Sequence, residues 1–141
     1  MTVRGIHHIG VVVKDAEAAA RRLEEALGVR VVHWEDYGPG LLRIGFVPVG
    51  GTLIELIEPL GDETNARWLE EHGEGVQHIA LEVEDVGAAI EELTRRGVAM
   101  RDAVPRAGAG NTLIAFLQGT MAGMWLELTQ PLGEAPWRGL R

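Results

Sequence analysis

Apolar residues recur along this chain with two alternating periods, and the order of those periods is then repeated. Val3 to Val13 is rich in β-branched residues and reads as a strand. Asp15 follows as a helix N-cap. Ala19, Ala20, Leu23, Ala26 and Leu27 fall at helical spacing, and Gly28 supplies the left-handed residue that ends a helix. Three strand-like runs, Val29 to Trp34, Leu41 to Val47 and Thr52 to Glu58, complete a β-α-β-β-β unit. The second unit has the same plan: strand Val76 to Val83, cap Asp85, a stripe of Ala89, Ile90 and Leu93, Gly97 as terminator, then Val98 to Arg101, Thr112 to Leu117 and Met124 to Thr129. Between the two, Trp68 and Leu69 suit a short connecting helix that Gly73 and Gly75 bring to an end. The pattern predicts an α+β chain of two tandem βαβββ modules, about 3–61 and 76–133, joined across 62–75 and followed by an aperiodic tail over 134–141. Modules of this size are too small to bury an adequate core alone, so one domain over 1–141 is expected.

The repeat carries polar exceptions as well as apolar ones. His8 in Ile6-His7-His8-Ile9-Gly10-Val11 returns as His78 in Gln77-His78-Ile79-Ala80, and Glu55 in Leu53-Ile54-Glu55-Leu56-Ile57 returns as Glu127 in Trp125-Leu126-Glu127-Leu128. A carboxylate inside a buried strand costs several kcal/mol unless a cation or strong donors neutralise it, at an order of magnitude of ~3–5 kcal/mol. Two imidazoles and two carboxylates converging from the first and last strands of each unit would form a neutral N2O2 donor set. Such a set suits zinc, cobalt, nickel, manganese or ferrous iron better than calcium. His7, His33 and His72 have no counterpart in the repeat, and surface or ordinary hydrogen-bonding roles are expected for them.

Composition narrows the chemistry further. There is no cysteine, which removes thiolate metal sites, cysteine nucleophiles and disulfides. A formal charge of −8 argues against a nucleic-acid partner, which needs a concentrated basic face. No apolar run approaches a membrane span and the start leads directly into a strand, so a cytoplasmic protein with no membrane partner is expected. Arg101 and Arg106 fall near loops that would line a pocket, leaving room for a small anionic substrate.

The chain resembles the vicinal oxygen chelate superfamily (glyoxalase, bleomycin resistance and dioxygenase proteins), and within it the methylmalonyl-CoA epimerases. The resemblance rests on the segments just quoted together with Ile54 to Leu60, Trp68 to Ala80, Pro105-Arg106 and Ile114 to Leu117. It implies a cup-shaped curved sheet around one divalent ion held by His8, Glu55, His78 and Glu127. It also implies a metal-dependent isomerase acting through an enolate on a small acyl-CoA such as methylmalonyl-CoA, and a homodimer. Epimerisation needs two proton-transferring groups; by resemblance Glu127 is one, and the other position falls on Arg43, which cannot act as a base near neutral pH but can hold a carboxylate or phosphate. Glu35 or Asp36 in the preceding loop could supply the replacement. The alternatives are a glyoxalase-I-like lyase, disfavoured because Val12 stands where those enzymes carry an arginine, an extradiol-type dioxygenase, and a small-molecule-sequestering resistance protein.

Overall fold

A computed structural model describes residues 1–136. The tail expected over 134–141 therefore lies outside the described residues from position 137 onward. Eight strands and three helices follow in the order β1 (Gly5–Val12), α1 (Ala16–Leu27), β2 (His33–Tyr37), β3 (Leu42–Val49), β4 (Thr52–Pro59), α2 (Glu63–His72), β5 (Gly75–Glu82), α3 (Val86–Arg95), β6 (Arg106–Gly108), β7 (Thr112–Phe116) and β8 (Trp125–Pro131). The class is α+β, as the periodicity predicts. Among the described residues no helix is long and apolar enough to cross a membrane.

The chain divides into two compact units, Met1–His8 with His78–Pro136, and Ile9–Gln77. The division falls inside β1 and inside β5 rather than at the ends of the repeated modules. At the N-terminus the Arg4 N–H donates to the Glu82 carbonyl and ties the residue before β1 to the end of β5. His8 belongs to the same unit as His78 and Glu127.

In that first unit, β8 runs parallel to β5, pairing His78 with Trp125 and Ala80 with Glu127, and antiparallel to β7, pairing Phe116 with Glu127 and Ala115 with Leu128. One face of these strands, through Ala115 and Leu128, packs on Val86, Ala89, Ile90 and Leu93 of α3. Strand alternation turns His78, Phe116, Trp125 and Glu127 to the other face. The strand expected over Val98 to Arg101 is reduced to a single antiparallel bridge between Met100 and Leu117. The Arg101 and Asp102 N–H groups both donate to the Phe116 carbonyl and the Gln118 N–H donates to the Ala99 carbonyl, while the Asp102 carboxylate accepts the Phe116 N–H at 2.8 Å, so a side chain ends the pairing beyond that single bridge. The short edge strand β6 forms later, at Arg106–Gly108.

The second unit repeats the arrangement. β2, β3 and β4 are antiparallel neighbours, and Val47 and Leu56 pack on Val13 and Ala16 at the start of α1. The first residues of β2 differ from expectation: Val29 to Val32 precede the strand, which runs from His33 to Tyr37. The correspondence between units extends to single atoms. Asp15 and Asp85 cap α1 and α3, accepting from Ala18 and Ala88. Glu58 Oε1 accepts the Ala16 N–H as Gln130 Oε1 accepts the Val86 N–H, and the Val13 and Val83 N–H groups donate to the Ile57 and Thr129 carbonyls. The pair Phe46 and Glu55 on β3 and β4 thus matches Phe116 and Glu127 on β7 and β8.

Candidate metal centre

Three of the residues singled out by the repeat come together in the first unit. His8 Nε2 lies 3.1 Å from His78 Nε2, 3.5 Å from Glu127 Oε1, and His78 Nε2 lies 3.4 Å from Glu127 Oε2. Ligands bound at ~2.1 Å to one ion stand about 3.0 Å apart in an octahedron and about 3.4 Å apart in a tetrahedron. The donor atoms therefore have the spacing of one coordination sphere. All three side chains are buried, with 3 to 4% of their surface exposed. Imidazole nitrogens with a carboxylate suit a divalent transition ion.

The electrostatics agree with that donor set. Burial pushes the His78 imidazole down to about 3, with the nearby Arg101 cation acting in the same direction. Burial, then the neighbouring His78 and His7 rings, hold His8 well below the usual imidazole range. Both rings are thus neutral and able to offer a lone pair. Burial raises the Glu127 carboxyl to about 7, opposed by the Thr129 hydroxyl and by Arg106 and Arg101. A carboxyl poised there can take up or release a proton near neutrality.

Two supporting residues were not apparent in the sequence. Thr129, fully buried and two positions beyond Glu127 on the same strand face, donates its hydroxyl to Glu127 Oε1 at 2.6 Å. It stands where the first unit of the repeat has Ile57, so a hydroxyl breaking an apolar strand was the available signal. His7 Nδ1 lies 2.8 Å from His8 Nδ1. A proton on His8 Nδ1 shared with His7 would leave His8 Nε2 as the acceptor, the tautomer a metal ligand requires. His7 is therefore more than a surface residue. His72 has the ordinary role expected, with Nδ1 3.0 Å from the Trp68 carbonyl and its ring stacked on the indole.

Glu55 lies in the second unit, 4% exposed on β4, on the face shared by Ile57 and by its cross-strand partner Phe46. Arg43 requires a correction. Its neighbour Ile44 pairs with Ile57, so Ile44 and Phe46 occupy the Glu55 face and Arg43 occupies the other, the face that packs on α1. There the guanidinium meets Glu17 of α1 at 2.8 Å, lies over the Trp34 ring at 4.4 Å, and is in register with Asp36 and Glu58. This placement does not fit a catalytic or substrate-binding role for Arg43 beside Glu55: a register off by one residue moves a side chain to the opposite face. The same register separates the two replacement candidates. Glu35 pairs with Ile44 and shares the Glu55 face, whereas Asp36 pairs with Arg43 and does not.

Comparison with known proteins bears on the family and the fold. The sequence model of the Glyoxalase/Bleomycin resistance protein/Dioxygenase superfamily matches residues 7–116. The uncharacterized protein YqjC of Bacillus subtilis is 31% identical over 92% of this chain and 94% of its own length. The ethylmalonyl-CoA/methylmalonyl-CoA epimerase of Cereibacter sphaeroides is 33% identical over 79% of this chain and 86% of its own. Among solved structures, a variant methylmalonyl-CoA epimerase of Streptomyces coelicolor in complex with 2-nitronate-propionyl-CoA superimposes with a TM-score of 0.87 at 27% identity, covering 95% of this chain and 99% of that one. With the match extending over most of its length, this chain belongs to the Glyoxalase/Bleomycin resistance protein/Dioxygenase superfamily.

Proposed function

We propose that the protein is a metal-dependent epimerase that labilises the proton on the carbon α to the carbonyl of a small acyl-CoA of the methylmalonyl type. The observation that carries the reading is the buried His8–His78–Glu127 cluster with donor atoms 3.1 to 3.5 Å apart. His8, His78 and Glu127 would hold the ion, with Glu55 as fourth ligand by its equivalence to Glu127 in the repeat. The ion, when bound, supplies positive charge that stabilises the oxyanion developing on the substrate carbonyl. The epimerase relatives and their acyl-CoA complexes support the substrate class.

The protein's own residues then divide the remaining work. Glu127 removes the α-proton, its carboxylate directed by the Thr129 hydroxyl. Burial of the cluster keeps bulk water from the reacting carbon. Inversion needs a proton returned to the opposite face, and we assign that step to Glu35, the carboxylate of the β2–β3 segment that shares the Glu55 face.

Deuterium exchange at the α-carbon of methylmalonyl-CoA, followed by NMR in D2O, tests the assignment. Metal-loaded protein is expected to exchange that position and to interconvert the two epimers. Glu127→Gln should reduce exchange by ~10²–10⁴-fold, the range for loss of a general base. Glu35→Gln should retain exchange but lose interconversion, because the proton then leaves and returns on one face. A two-histidine, one-carboxylate cluster is also a donor set of ferrous oxygenases. If Glu55→Ala leaves metal affinity unchanged and the iron-loaded protein consumes O2 with a catechol, the oxygenase reading replaces this one.

A further inference from the structure

The face that carries His78 and Glu127 also carries an arginine held in an uncommon setting. The Arg101 guanidinium carbon lies 4.1 Å from the centre of the Phe116 ring and 4.5 Å from that of Trp125, so the cation rests against two aromatic rings that themselves meet edge to face. Phe116 in turn presents its ring edge-on to His78, with centroids 5.3 Å apart. The two distances place the guanidinium carbon at most 9.4 Å from the His78 ring centre. The neighbouring arginine differs. Arg106 Nε donates to Asp102 Oδ1 at 3.2 Å, and the other Asp102 oxygen is taken by the Phe116 N–H. Asp102 thus compensates Arg106 and fixes the end of β7, whereas among the described residues no carboxylate forms an ion pair with Arg101. Stacking uses the faces of a guanidinium and leaves its N–H edges in plane, where they match the paired oxygens of a carboxylate or phosphate.

We infer that Arg101, seated on Phe116 and Trp125 beside the His8–His78–Glu127 cluster, is the docking cation for an anionic oxygen group of the substrate. The inference rests on the acyl-CoA reading and deepens it: this arginine, rather than Arg43, selects for an acid-bearing substrate. A separation of at most 9.4 Å is bridged by a short dicarboxylic acyl group together with its contacts at either end, and a phosphate of the carrier would offer the same oxygen pair. Trp125 is part of the device, since it supplies the second ring and pairs in register with His78.

Equilibrium binding by calorimetry, on wild type, Arg101→Gln and Arg101→Lys, separates the sources. Malonyl-CoA carries both anions, propionyl-CoA only the phosphates, and malonyl-pantetheine only the carboxylate. Loss of ten-fold or more in affinity for both malonyl probes in Arg101→Gln, with propionyl-CoA unchanged, identifies a carboxylate partner. The same loss for both CoA probes, with malonyl-pantetheine unchanged, identifies a phosphate. Arg101→Lys should recover only part of either loss, because an ammonium cannot present two parallel N–H groups. A second readout does not depend on acyl-CoA binding: titration of free malonate or inorganic phosphate should shift the Arg101 Nε–H resonance, assigned by its absence in Arg101→Lys. If no CoA thioester binds wild type yet malonate or phosphate shifts that resonance, the acyl-CoA reading fails and the anion site stands. Wild-type affinity for all three thioesters in Arg101→Gln, or no shift with either anion, overturns the inference.

Discussion

Glu127 has two demands made on it, as ligand and as proton carrier, and Thr129 is the residue that reconciles them. The hydroxyl holds one carboxylate oxygen at 2.6 Å and favours the charged form, while burial pushes the carboxyl up to about 7. Thr129→Val keeps the shape and removes that donor, so the carboxyl should titrate higher and the divalent ion bind more weakly, by ~1–2 kcal/mol for a lost hydrogen bond to a charged group; isothermal titration with zinc or cobalt reads this directly. The proton balance gives a second check. At pH 6 a carboxyl titrating at about 7 is mostly protonated while the His78 imidazole, down at about 3, is neutral. Metal uptake should then release about one more proton at pH 6 than at pH 8.5, the one that Glu127 must give up. Proton release that is constant across this interval would remove Glu127 from the ligand set. Arg43, by contrast, belongs to packing. Arg43→Ala should cost ~0.5–1.5 kcal/mol of stability in chemical denaturation, through its ring contact and half-exposed ion pair, and leave α-proton exchange unchanged.

At the scale of elements, the repeat made much of the fold legible. Asp15, Gly28, Asp85 and Gly97 bound two helices where their residue types say they should, because caps act over three or four residues. What escaped depends on partners distant in sequence. The loop between β2 and β3 hides the strand register, and so Arg43 and Ile44 could not be told apart by counting. The segment from Val98 to Arg101 has strand-like composition, yet its pairing stops at the Met100–Leu117 bridge, where Asp102 reaches 14 residues ahead to take the Phe116 N–H. Asp102→Ala should therefore loosen β7 and release Arg106 together, lowering stability by ~1–3 kcal/mol for an unsatisfied buried donor. A glycine shows the same dependence on tertiary context. A Cβ on Gly45 would lie 2.8 Å from the Trp34 ring, whereas its counterpart Ala115 packs beneath α3 without such a neighbour. Gly45→Ala is expected to destabilise through this clash, measurable as a lower denaturation midpoint.

For the whole chain, duplication explains how a donor set can arise from a simple sequence. Each unit offers a phenylalanine–glutamate pair on its last two strands, and the repeated histidines lie together with Glu127 in one of them. The histidine and glutamate positions were legible because the repeat preserved polar residues where strands would otherwise be apolar. The assignment of His8 to the unit of His78 was not, since it follows from how β1 is divided rather than from any local signal. On the reading proposed above, His8, His78 and Glu127 form one metal centre. The most direct measurement is a crystal structure of the cobalt- or zinc-loaded protein with the ion located by anomalous scattering. One ion is expected within ~2.0–2.2 Å of His8 Nε2, His78 Nε2 and a Glu127 oxygen. An ion bound elsewhere, or full loading with these side chains unliganded, would contradict it.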